Sequence, residues 1–141
     1  MPEYTITTQL EDMDLDIIHS FISQSYWARG IPMATLERAL RHSLCFGVMS
    51  AADGQVGFAR MITDTATFAY LADVFIVPEH RGRELSKRLL TNIMQHPQLQ
   101  GLRRTLLATR DAHGLYDQFG FQALASPETF MEIYQPGIYA K

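Results

Sequence analysis

Hydrophobic positions recur along the chain with two different periods, and these periods predict a series of strands and helices. Residues 4–8 alternate as a short strand. Residues 12–25 carry apolar side chains at helical spacing, with acidic residues in the first turn, where the helix dipole favours them. Gly30 and Pro32 interrupt this pattern, and a second apolar stripe over residues 33–43 predicts a separate helix.

Three strands are predicted to follow. Residues 44–50 and 56–63 are rich in apolar side chains and are joined by an Ala-Asp-Gly turn, which is typical of a hairpin. A third strand is expected over residues 67–77. It ends at Pro78 because proline has no N–H group to donate to a sheet.

The remaining pattern indicates two helices and three short strands. They are expected at residues 82–95 (helix), 104–108 (strand), 112–119 (helix), 121–123 (weak strand) and 130–134 (weak strand). The order β-α-α-β-β-β-α-β-α-β-β is typical of an α/β (α+β mixed) fold in which helices flank a central mixed β-sheet. No repeat or linker divides the chain, so residues 1–141 are interpreted as one domain.

The composition is that of a folded soluble domain. With 141 residues, of which 47% are hydrophobic, the chain can bury a core, which excludes intrinsic disorder. No run approaches the ~20 apolar residues of a membrane span and no signal peptide is evident, so a cytoplasmic location is expected. The single cysteine, Cys45, excludes a disulfide framework, and the five histidines lack metal-ligand spacing, so no metal site is expected.

The net charge of −3 hides an uneven distribution of charge. Residues 81–110 hold seven basic side chains and one acid, Glu84, so this segment carries +6 and the rest of the chain carries −9. A basic segment within an acidic chain suggests a localised anionic partner. The alternative interpretation is a solvated helix face.

Residues 73–90 are predicted to form a strand, a proline, a turn and a helix in succession, and part of the positive charge lies within this segment. A tight turn that opens a helix directs several backbone N–H groups at one point, and the helix dipole adds positive partial charge there. Four cations lie near the same helix start: Arg81, Arg83, Lys87 and Arg88. We therefore predict an anion site at this turn.

Two motifs resemble those of the GCN5-related N-acetyltransferase (GNAT) superfamily. In that superfamily a strand and a proline precede Arg/Gln-x-x-Gly-x-Gly/Ala, which opens the helix that binds the pyrophosphate of acetyl-CoA. Here Arg81 fills the first position, and Glu84 and Ser86 stand at the two glycine positions. The second motif, Leu-Tyr followed closely by Gly-Phe, appears as GLYDQFGF at residues 114–121. The two motifs, with a matching order of elements over nearly the whole chain, make the resemblance specific.

The resemblance implies that acetyl-CoA is the co-substrate. The backbone before the proline would meet the acetyl carbonyl and the turn would hold the pyrophosphate, which gives these expected cofactor-binding residues: Phe75, Ile76, Val77, Arg81, Gly82, Arg83, Glu84, Leu85, Ser86, Lys87 and Tyr116. The Glu84 carboxylate would repel a phosphate unless it points to solvent or pairs with Arg88. We expect cofactor binding to be weakened but retained.

The same resemblance implies catalytic roles. Tyr116 matches the family tyrosine that protonates the leaving thiolate, and a phenol and a thiol have intrinsic pKa values within about 2 units. Asp73 is a candidate general base. An unpaired carboxylate on its apolar strand would be costly, so it is either hydrogen-bonded for structure or directed into the site. A water that relays the proton is an equal alternative, and Asp64 is a weaker one.

The acceptor substrate is expected near the loop that joins the first two helices, since this loop covers the acceptor pocket in the family. It contains Tyr26, Trp27 and Arg29, which offer aromatic walls and one charge. An aromatic cluster that caps the core at a helix end is the alternative. Arg60 is a further candidate, because its charge lies among apolar strand residues and needs a partner.

The sequence thus predicts an N-acetyltransferase that moves an acetyl group from acetyl-CoA to a primary amine of a small molecule, by direct transfer in a ternary complex. One alternative is a catalytically weak acyl-CoA-binding or sensing domain of the same fold. An RNA-binding module is disfavoured, because the basic residues are not interleaved with exposed aromatics. The expected partners are acetyl-CoA and a small amine, with no nucleic acid and no membrane, and a homodimer is a family expectation.

Overall fold

The computed structural model describes residues 3–140, which form a mixed β-sheet with helices on both faces. Its elements in chain order are β1 (Tyr4–Thr7), α1 (Leu15–Ile22), α2 (Met33–Arg41), β2 (Leu44–Ser50), β3 (Gly54–Thr63), β4 (Phe68–Ile76), α3 (Leu85–Met94), β5 (Arg104–Leu107) and α4 (His113–Asp117). Short 3-10 turns occupy Leu10–Asp12, Pro78–His80, Pro97–Leu99 and Pro127–Thr129. No helix within residues 3–140 is long and apolar enough to cross a membrane.

The strands of the described chain lie in the sheet in the order β1-β2-β3-β4-β5. The first four are antiparallel neighbours. β5 runs parallel to β4 and pairs only with its first half, from Phe68 opposite Arg104 to Leu71 opposite Leu107. Residues 72–76 of β4 have no strand partner on this side, so a gap opens beside the end of β4, and it exposes backbone groups.

Two apolar cores fix the helices and the end of β4. On one face α3 packs against the sheet through its apolar stripe: Leu85, Leu89, Leu90 and Ile93. On the other face α1 and α2 pack through a second stripe: Ile18, Ile22, Leu36 and Leu40. Burial of each of these side chains contributes about 1.5–3 kcal/mol. Ile76 belongs to the first core and Phe75 to the second, so the end of β4 is held from both sides.

The mixed sheet is confirmed, and so are the elements expected before residue 120, with ends that differ by a few residues. β2 has the expected bounds. α3 begins later than expected, because Gly82 and Glu84 take left-handed backbone conformations that an α-helix does not contain.

The two strands expected at residues 121–123 and 130–134 are absent from the described chain, so this part of the predicted order was wrong. A strand needs a neighbour to complete its backbone hydrogen bonds. Residues 119–126 line the same cavity as β5 without pairing with it, and residues 131–134 form no backbone hydrogen bond with another described residue. The apolar pattern is present, but neither segment has a neighbouring strand.

Candidate active site

The turn between β4 and α3 presents a row of unpaired backbone N–H groups, and we call residues 81–87 the anion turn. Gly82 has φ +79° and Glu84 has φ +63°, both in the left-handed region. The six N–H groups of residues 82–87 donate to no acceptor within residues 3–140. Adjacent donors at the positive end of a helix dipole can bind an anion with several oxygen atoms.

A cavity of about 330 Å³ lies at the anion turn. Its walls include Ile76 of β4 and Leu115 of α4. The other residues that line it are His80, Arg81, Gly82, Glu84, Leu85, Ser86 and Lys87. The Ser86 hydroxyl and the Lys87 ammonium therefore add a donor and a positive charge to the row of N–H groups. The structure gathers most of the expected cofactor-binding residues at one cavity.

Two basic side chains of the anion turn form polar contacts, one with the end of β4 and one within the turn. Arg81 donates its Nε hydrogen to the Ile76 carbonyl oxygen at 2.9 Å, which joins the turn to the end of β4. The Lys87 ammonium lies 3.7 Å from the Glu84 carboxylate, and the Glu84 side chain is 72% exposed. Glu84 therefore points to solvent, and its partner is Lys87 rather than Arg88.

Arg83 and Arg88 fasten β1 to the anion turn instead of lining the cavity. Arg83 donates to the Tyr4 hydroxyl, and Arg88 donates to the Tyr4 main-chain oxygen at 3.2 Å. The Tyr4 hydroxyl also hydrogen-bonds with buried His80, whose other ring nitrogen lies 2.9 Å from the Asp53 carboxylate. The four cations predicted near the helix start therefore have two different roles. Arg81 and Lys87 line the cavity, whereas the side chains of the other two bind β1. Arg83 still contributes its N–H group to the row.

The end of β4 offers a free backbone donor to the gap beside it. Val77 donates its N–H to the Val56 carbonyl oxygen at 2.8 Å. Because backbone groups alternate in direction along an antiparallel pair, the N–H of Phe75 also faces β3, and the N–H of Ile76 faces the gap. Of the three residues expected to meet an acetyl carbonyl, Ile76 is the one whose N–H points into the gap.

Tyr116 of α4 lies in the same core as Ile76. Its side chain is 8% exposed and meets the Phe121 ring edge-on, with 6.0 Å between ring centroids. The hydroxyl forms no hydrogen bond within residues 3–140, and every fully buried side-chain polar atom there has a partner, so the hydroxyl reaches the surface. Burial is the main cause that raises the pKa of the phenol above its usual 10.0, and electrostatic interactions with Tyr26 and Asp111 raise it further. The phenol is therefore neutral at pH 7 and can donate a proton.

The loop between α1 and α2 brings two aromatic side chains to this region. The Tyr26 ring lies 3.8 Å from the Arg110 guanidinium and meets the Trp27 ring edge-on at 5.1 Å. Trp27 donates its indole N–H to the Asp73 carboxylate at 2.7 Å. Both rings are about half exposed, so they form walls that a ligand can reach.

Asp73 lies at a bulge in β4, with φ +57°, where the register with β3 shifts after Phe58. A bulge turns a side chain out of the alternation of its strand. The second Asp73 carboxylate oxygen accepts from Arg60 Nε at 2.6 Å, and Arg60 also donates to the Ser43 hydroxyl at 3.0 Å. The Asp73 and Arg60 side chains are 6% and 16% exposed. Asp73 and Arg60 are therefore each other's buried partner.

Two candidate residues lie outside this cluster. Arg29 is exposed and forms no hydrogen bond or ion pair with another described residue. Asp64 lies in the turn between β3 and β4, where its carboxylate accepts four hydrogen bonds from residues 66–68, and these hold its pKa well below the usual value. That turn is at the far end of β4 from the anion turn, so Asp64 is not placed to act as a general base there.

Cys45 is a core residue, as expected, and it is 5% exposed. Burial raises the pKa of its thiol from 9.0 to about 11. The thiolate that a nucleophilic cysteine needs is therefore scarce at neutral pH. The part of the chain that the structure describes contains no group of three His, Cys, Asp or Glu side chains that could hold a metal ion.

Sequence reasoning missed two residues of this region, Arg110 and Tyr70. From the sequence, Arg110 is expected beside the strand that follows α3, near the outer phosphate of the cofactor, but its contact with Tyr26 was not predicted because it joins loops that are far apart in the chain. Tyr70 of β4 is half-buried, and burial followed by the nearby Asp73 charge raises the pKa of its phenol. Strand alternation was a usable signal for Tyr70. Arg60 pairs with Ala72 across the sheet, and Tyr70 lies two residues before Ala72, so its side chain faces the same side of the sheet as Arg60.

The family model, the relative and the solved structures described below are all acetyltransferases. The family model of the acetyltransferase (GNAT) domain matches residues 41–123. A Gibberella zeae protein assigned as an acetyltransferase is 35% identical over 136 residues, which cover 81% of this chain and 76% of that protein. A Xanthomonas campestris pv. campestris structure assigned to the GNAT family is 51% identical, has a TM-score of 0.96, and is matched over 99% of its length by 100% of this chain.

A more distant structure shows the fold alone. A protein from Deinococcus radiodurans R1, also assigned as an acetyltransferase, is 17% identical with a TM-score of 0.76 over 98% of this chain and 92% of that one. The family match covers more than half of this chain, and it includes the anion turn and Tyr116. The chain belongs to the GNAT family of acetyltransferases.

Proposed function

We propose that the protein transfers the acetyl group of acetyl-CoA to a primary amine of a small molecule, by direct transfer in a ternary complex. The observation that carries this proposal is the row of unpaired N–H groups at residues 82–87, next to the helix that bears Tyr116. The row suits a pyrophosphate, and a neutral phenol suits a leaving thiolate. Family membership supports acetyl transfer as the reaction class.

The anion turn is the proposed binding site for the pyrophosphate of acetyl-CoA. Its backbone supplies donors, and Ser86 and Lys87 supply a hydroxyl and a charge at the same cavity. Glu84 is compatible with this role because its carboxylate points to solvent and pairs with Lys87. The thioester would then extend into the gap beside β4, where the Ile76 N–H can donate to the acetyl oxygen.

In the proposed reaction the amine nitrogen attacks the thioester carbonyl carbon, so a C–N bond forms and the C–S bond breaks. The Ile76 N–H stabilises the negative charge that develops on the carbonyl oxygen. Tyr116 gives its proton to the departing sulfur. An amine that binds in its protonated form loses one proton before the attack and a second as the C–N bond forms, both to a base or to water, and the Tyr116 phenolate regains a proton from solvent. The products are the acetylated amine and CoA.

The proposed acceptor site is the cluster formed by Tyr26, Trp27, Arg60 and Asp73. Aromatic walls beside a carboxylate suit a protonated amine with an apolar part. Asp73 stays a candidate base, and a water that relays the proton stays an equal alternative, because both Asp73 oxygens already accept hydrogen bonds. Cytoplasmic location and the lack of a nucleic-acid partner also stay predictions.

A second candidate function is an acyl-CoA-binding or sensing domain with little catalysis. It is favoured by one observation, the carboxylate of Glu84 at a position that is glycine in the family motif. Such a domain would keep the anion turn but would not need a proton donor at Tyr116.

Release of CoA thiol in the presence of a panel of amines tests the proposal against this alternative. We expect one class of small primary amine to accelerate thiol release from acetyl-CoA well above the rate without amine. A calorimetric titration with acetyl-CoA in parallel shows whether the protein binds it. Binding without acceleration by any amine would support the sensing domain instead.

Replacing Glu84 with glycine is expected to stabilise the fold by about 1 kcal/mol, because a left-handed conformation is strained for a residue with a Cβ atom. It should also lower the dissociation constant of acetyl-CoA roughly twofold to fivefold, because a partly screened negative charge is removed. Thermal unfolding and calorimetry measure the two effects.

Glu84→Gln is the matched control, because it removes the charge and keeps the strained backbone. It should reproduce the gain in affinity without the gain in stability. Glu84→Gly protein that binds acetyl-CoA no more tightly than the wild type would show that the carboxylate does not weaken binding.

A further inference from the structure

The middle of the anion turn is joined to another element of the fold by a single side chain. Apart from its chain neighbours, Gly82 has no described atom within 4 Å of the position that a Cβ atom would take. The Glu84 side chain is exposed and contacts Lys87 of the same turn. Arg83, between these two left-handed residues, donates to the Tyr4 hydroxyl of β1. In the described structure, Arg83 is therefore the side chain that connects the middle of the turn to a strand.

The backbone of the turn does not supply such an attachment. The N–H groups of residues 82–87 donate to no acceptor within residues 3–140, and no side chain caps the start of α3. A left-handed conformation persists at a residue with a Cβ atom, such as Glu84, only where the surrounding structure holds it. The alignment of the N–H row therefore depends on contacts that the side chains of the turn make.

Arg83 has two partners, and the Tyr4 hydroxyl is the stronger one. The Glu3 carboxylate lies 3.4 Å from the Arg83 guanidinium, and both of these side chains are largely exposed. An exposed ion pair of this kind contributes little, because water screens it. Tyr4 is buried, so its hydroxyl accepts the Arg83 hydrogen bond where water competes less.

Buried hydrogen bonds orient the Tyr4 hydroxyl in turn. A guanidinium can only donate, so the hydroxyl oxygen accepts from Arg83. The hydroxyl hydrogen is then donated to His80 Nδ1, 2.7 Å away, and His80 Nε2 donates to the Asp53 carboxylate at 2.9 Å. With a neutral imidazole, this assignment of the ring hydrogen satisfies all three hydrogen bonds. It leaves the hydroxyl oxygen as the acceptor that Arg83 needs.

The sheet and α3 fix the position of Tyr4. Its backbone pairs with Ser50 of β2, and Arg88 of α3 donates to its main-chain oxygen at 3.2 Å. Its ring belongs to the core that also holds Leu85 and Leu89 of α3. β1 lies at the opposite edge of the sheet from β5, so it is remote from the gap beside β4. The Tyr4 hydroxyl is therefore a fixed point beside the anion turn.

We propose that the Tyr4 hydroxyl is the positioning group of the anion turn. Through Arg83 it holds residues 82–84 in the conformation that aligns the N–H row, and it thereby sets the affinity for a phosphate-bearing ligand. The identity of that ligand, acetyl-CoA, rests on the proposed function. Because the hydroxyl acts through Arg83 and not on the reacting atoms, its loss should weaken binding and leave the transfer step nearly unchanged.

Tyr4→Phe tests the proposal, because it removes the hydroxyl and keeps the ring in the core. If the aligned conformation falls to about a tenth of the population, the dissociation constant of acetyl-CoA rises about tenfold. The KM for acetyl-CoA should rise in the same proportion, whereas kcat should stay within about twofold of the wild type. Calorimetry and steady-state kinetics measure these quantities. Tyr134→Phe is the matched control, since Tyr134 is exposed and should bind acetyl-CoA as the wild type does.

Order in the turn is measured without any ligand. Backbone NMR order parameters of residues 82–84 should be near 0.85 in the wild type and below about 0.6 in Tyr4→Phe. Arg83→Gln is the second variant, and it should loosen the same residues. Because the Arg83 side chain is half exposed, this variant should fold even if Tyr4→Phe does not. Circular dichroism checks the fold of both variants.

The coupling between Tyr4 and Arg83 separates positioning from a general loss of stability. Arg83→Gln should raise the dissociation constant of acetyl-CoA by a clearly larger factor in the wild type than in Tyr4→Phe, where the contact is already gone. Equal factors in the two backgrounds would overturn the proposal, because the two side chains would then act independently.

The remaining outcomes distinguish this proposal from the proposed function. Residues 82–84 that loosen in both variants, in a protein that does not bind acetyl-CoA, would support positioning by Tyr4 and contradict the proposed function alone. Order parameters that do not change in either variant would overturn the positioning role, even if affinity fell. Loosened residues with an unchanged dissociation constant would also overturn it, because the order of the turn would then not set the affinity.

Discussion

Replacing Tyr116 with phenylalanine is expected to lower the turnover number at least about tenfold while leaving the affinity for acetyl-CoA nearly unchanged. Phenylalanine keeps the buried ring and its edge-on contact with Phe121, so the fold should persist. What is lost is the proton that the departing thiolate would receive. Steady-state kinetics and calorimetry with acetyl-CoA measure the two quantities.

The pH profile of the same variant tests the chemistry more specifically. Burial raises the pKa of Tyr116 above its usual 10.0, so the group stays protonated, and therefore active as an acid, up to that pH. Wild-type turnover should fall only above about pH 10, as the phenol ionises. The phenylalanine variant should lack this fall.

Tyr70→Phe is the control for the loss of a phenol near the site. Tyr70 is half-buried, and the pKa of its phenol is also raised by burial, but it lies on β4 beside Asp73. Its turnover should stay close to the wild-type value. A large loss in Tyr70→Phe with none in Tyr116→Phe would move the proton-donor role to Tyr70.

Replacing Asp73 with asparagine is expected to destabilise the fold by about 3 kcal/mol, because it leaves the Arg60 guanidinium buried without its counter-charge. Asparagine tolerates φ +57° and can still accept the Trp27 hydrogen bond, so the backbone and the loop are preserved. Urea unfolding followed by tryptophan fluorescence is a direct measurement, since Trp27 is the only tryptophan.

Glu37→Gln is the matched control, because Glu37 pairs with Arg41 on an exposed helix face and its loss should cost about 0.5 kcal/mol or less. In an Arg60→Gln background the further cost of Asp73→Asn should shrink strongly, since the pair is already broken. Equal costs for Asp73→Asn and Glu37→Gln would show that the buried pair does not hold the site together.

The turnover of folded Asp73→Asn separates the two candidate bases. An amide cannot accept the amine proton, so a catalytic Asp73 requires a loss of at least about a hundredfold. Turnover within a few-fold of wild type would instead assign the proton to a water relay and leave Asp73 as a positioning residue for Trp27 and Arg60.

Local patterns in the sequence were enough to predict the elements that depend on local signals. β2 was predicted with its bounds, because an apolar run lies between a helix end and a hairpin turn. The turn at residues 81–87 was predicted from a strand, a proline and a basic helix start, and its role as an anion site stays a prediction. These features depend on neighbours a few residues apart, which the sequence displays directly.

Features that depend on distant contacts were not predictable in this way. Strand alternation gives no warning of the bulge at Asp73, which brings its carboxylate to Trp27 and Arg60. The strands predicted at residues 121–123 and 130–134 were wrong for the same reason, because a strand must pair with a neighbour and the described chain offers none there. The position of Arg110 over Tyr26 likewise joins loops that are far apart in sequence.

In the proposed function the anion turn holds acetyl-CoA so that its acetyl group passes directly to an amine. The most direct measurement follows both products, acetylated amine and free CoA, in one reaction with the amine that best accelerates thiol release. We expect the two to appear in equal amounts and at a rate that depends on both substrates together. CoA release whose rate does not change with any amine, or that proceeds without any acetylated amine, would contradict direct transfer of the acetyl group to an amine.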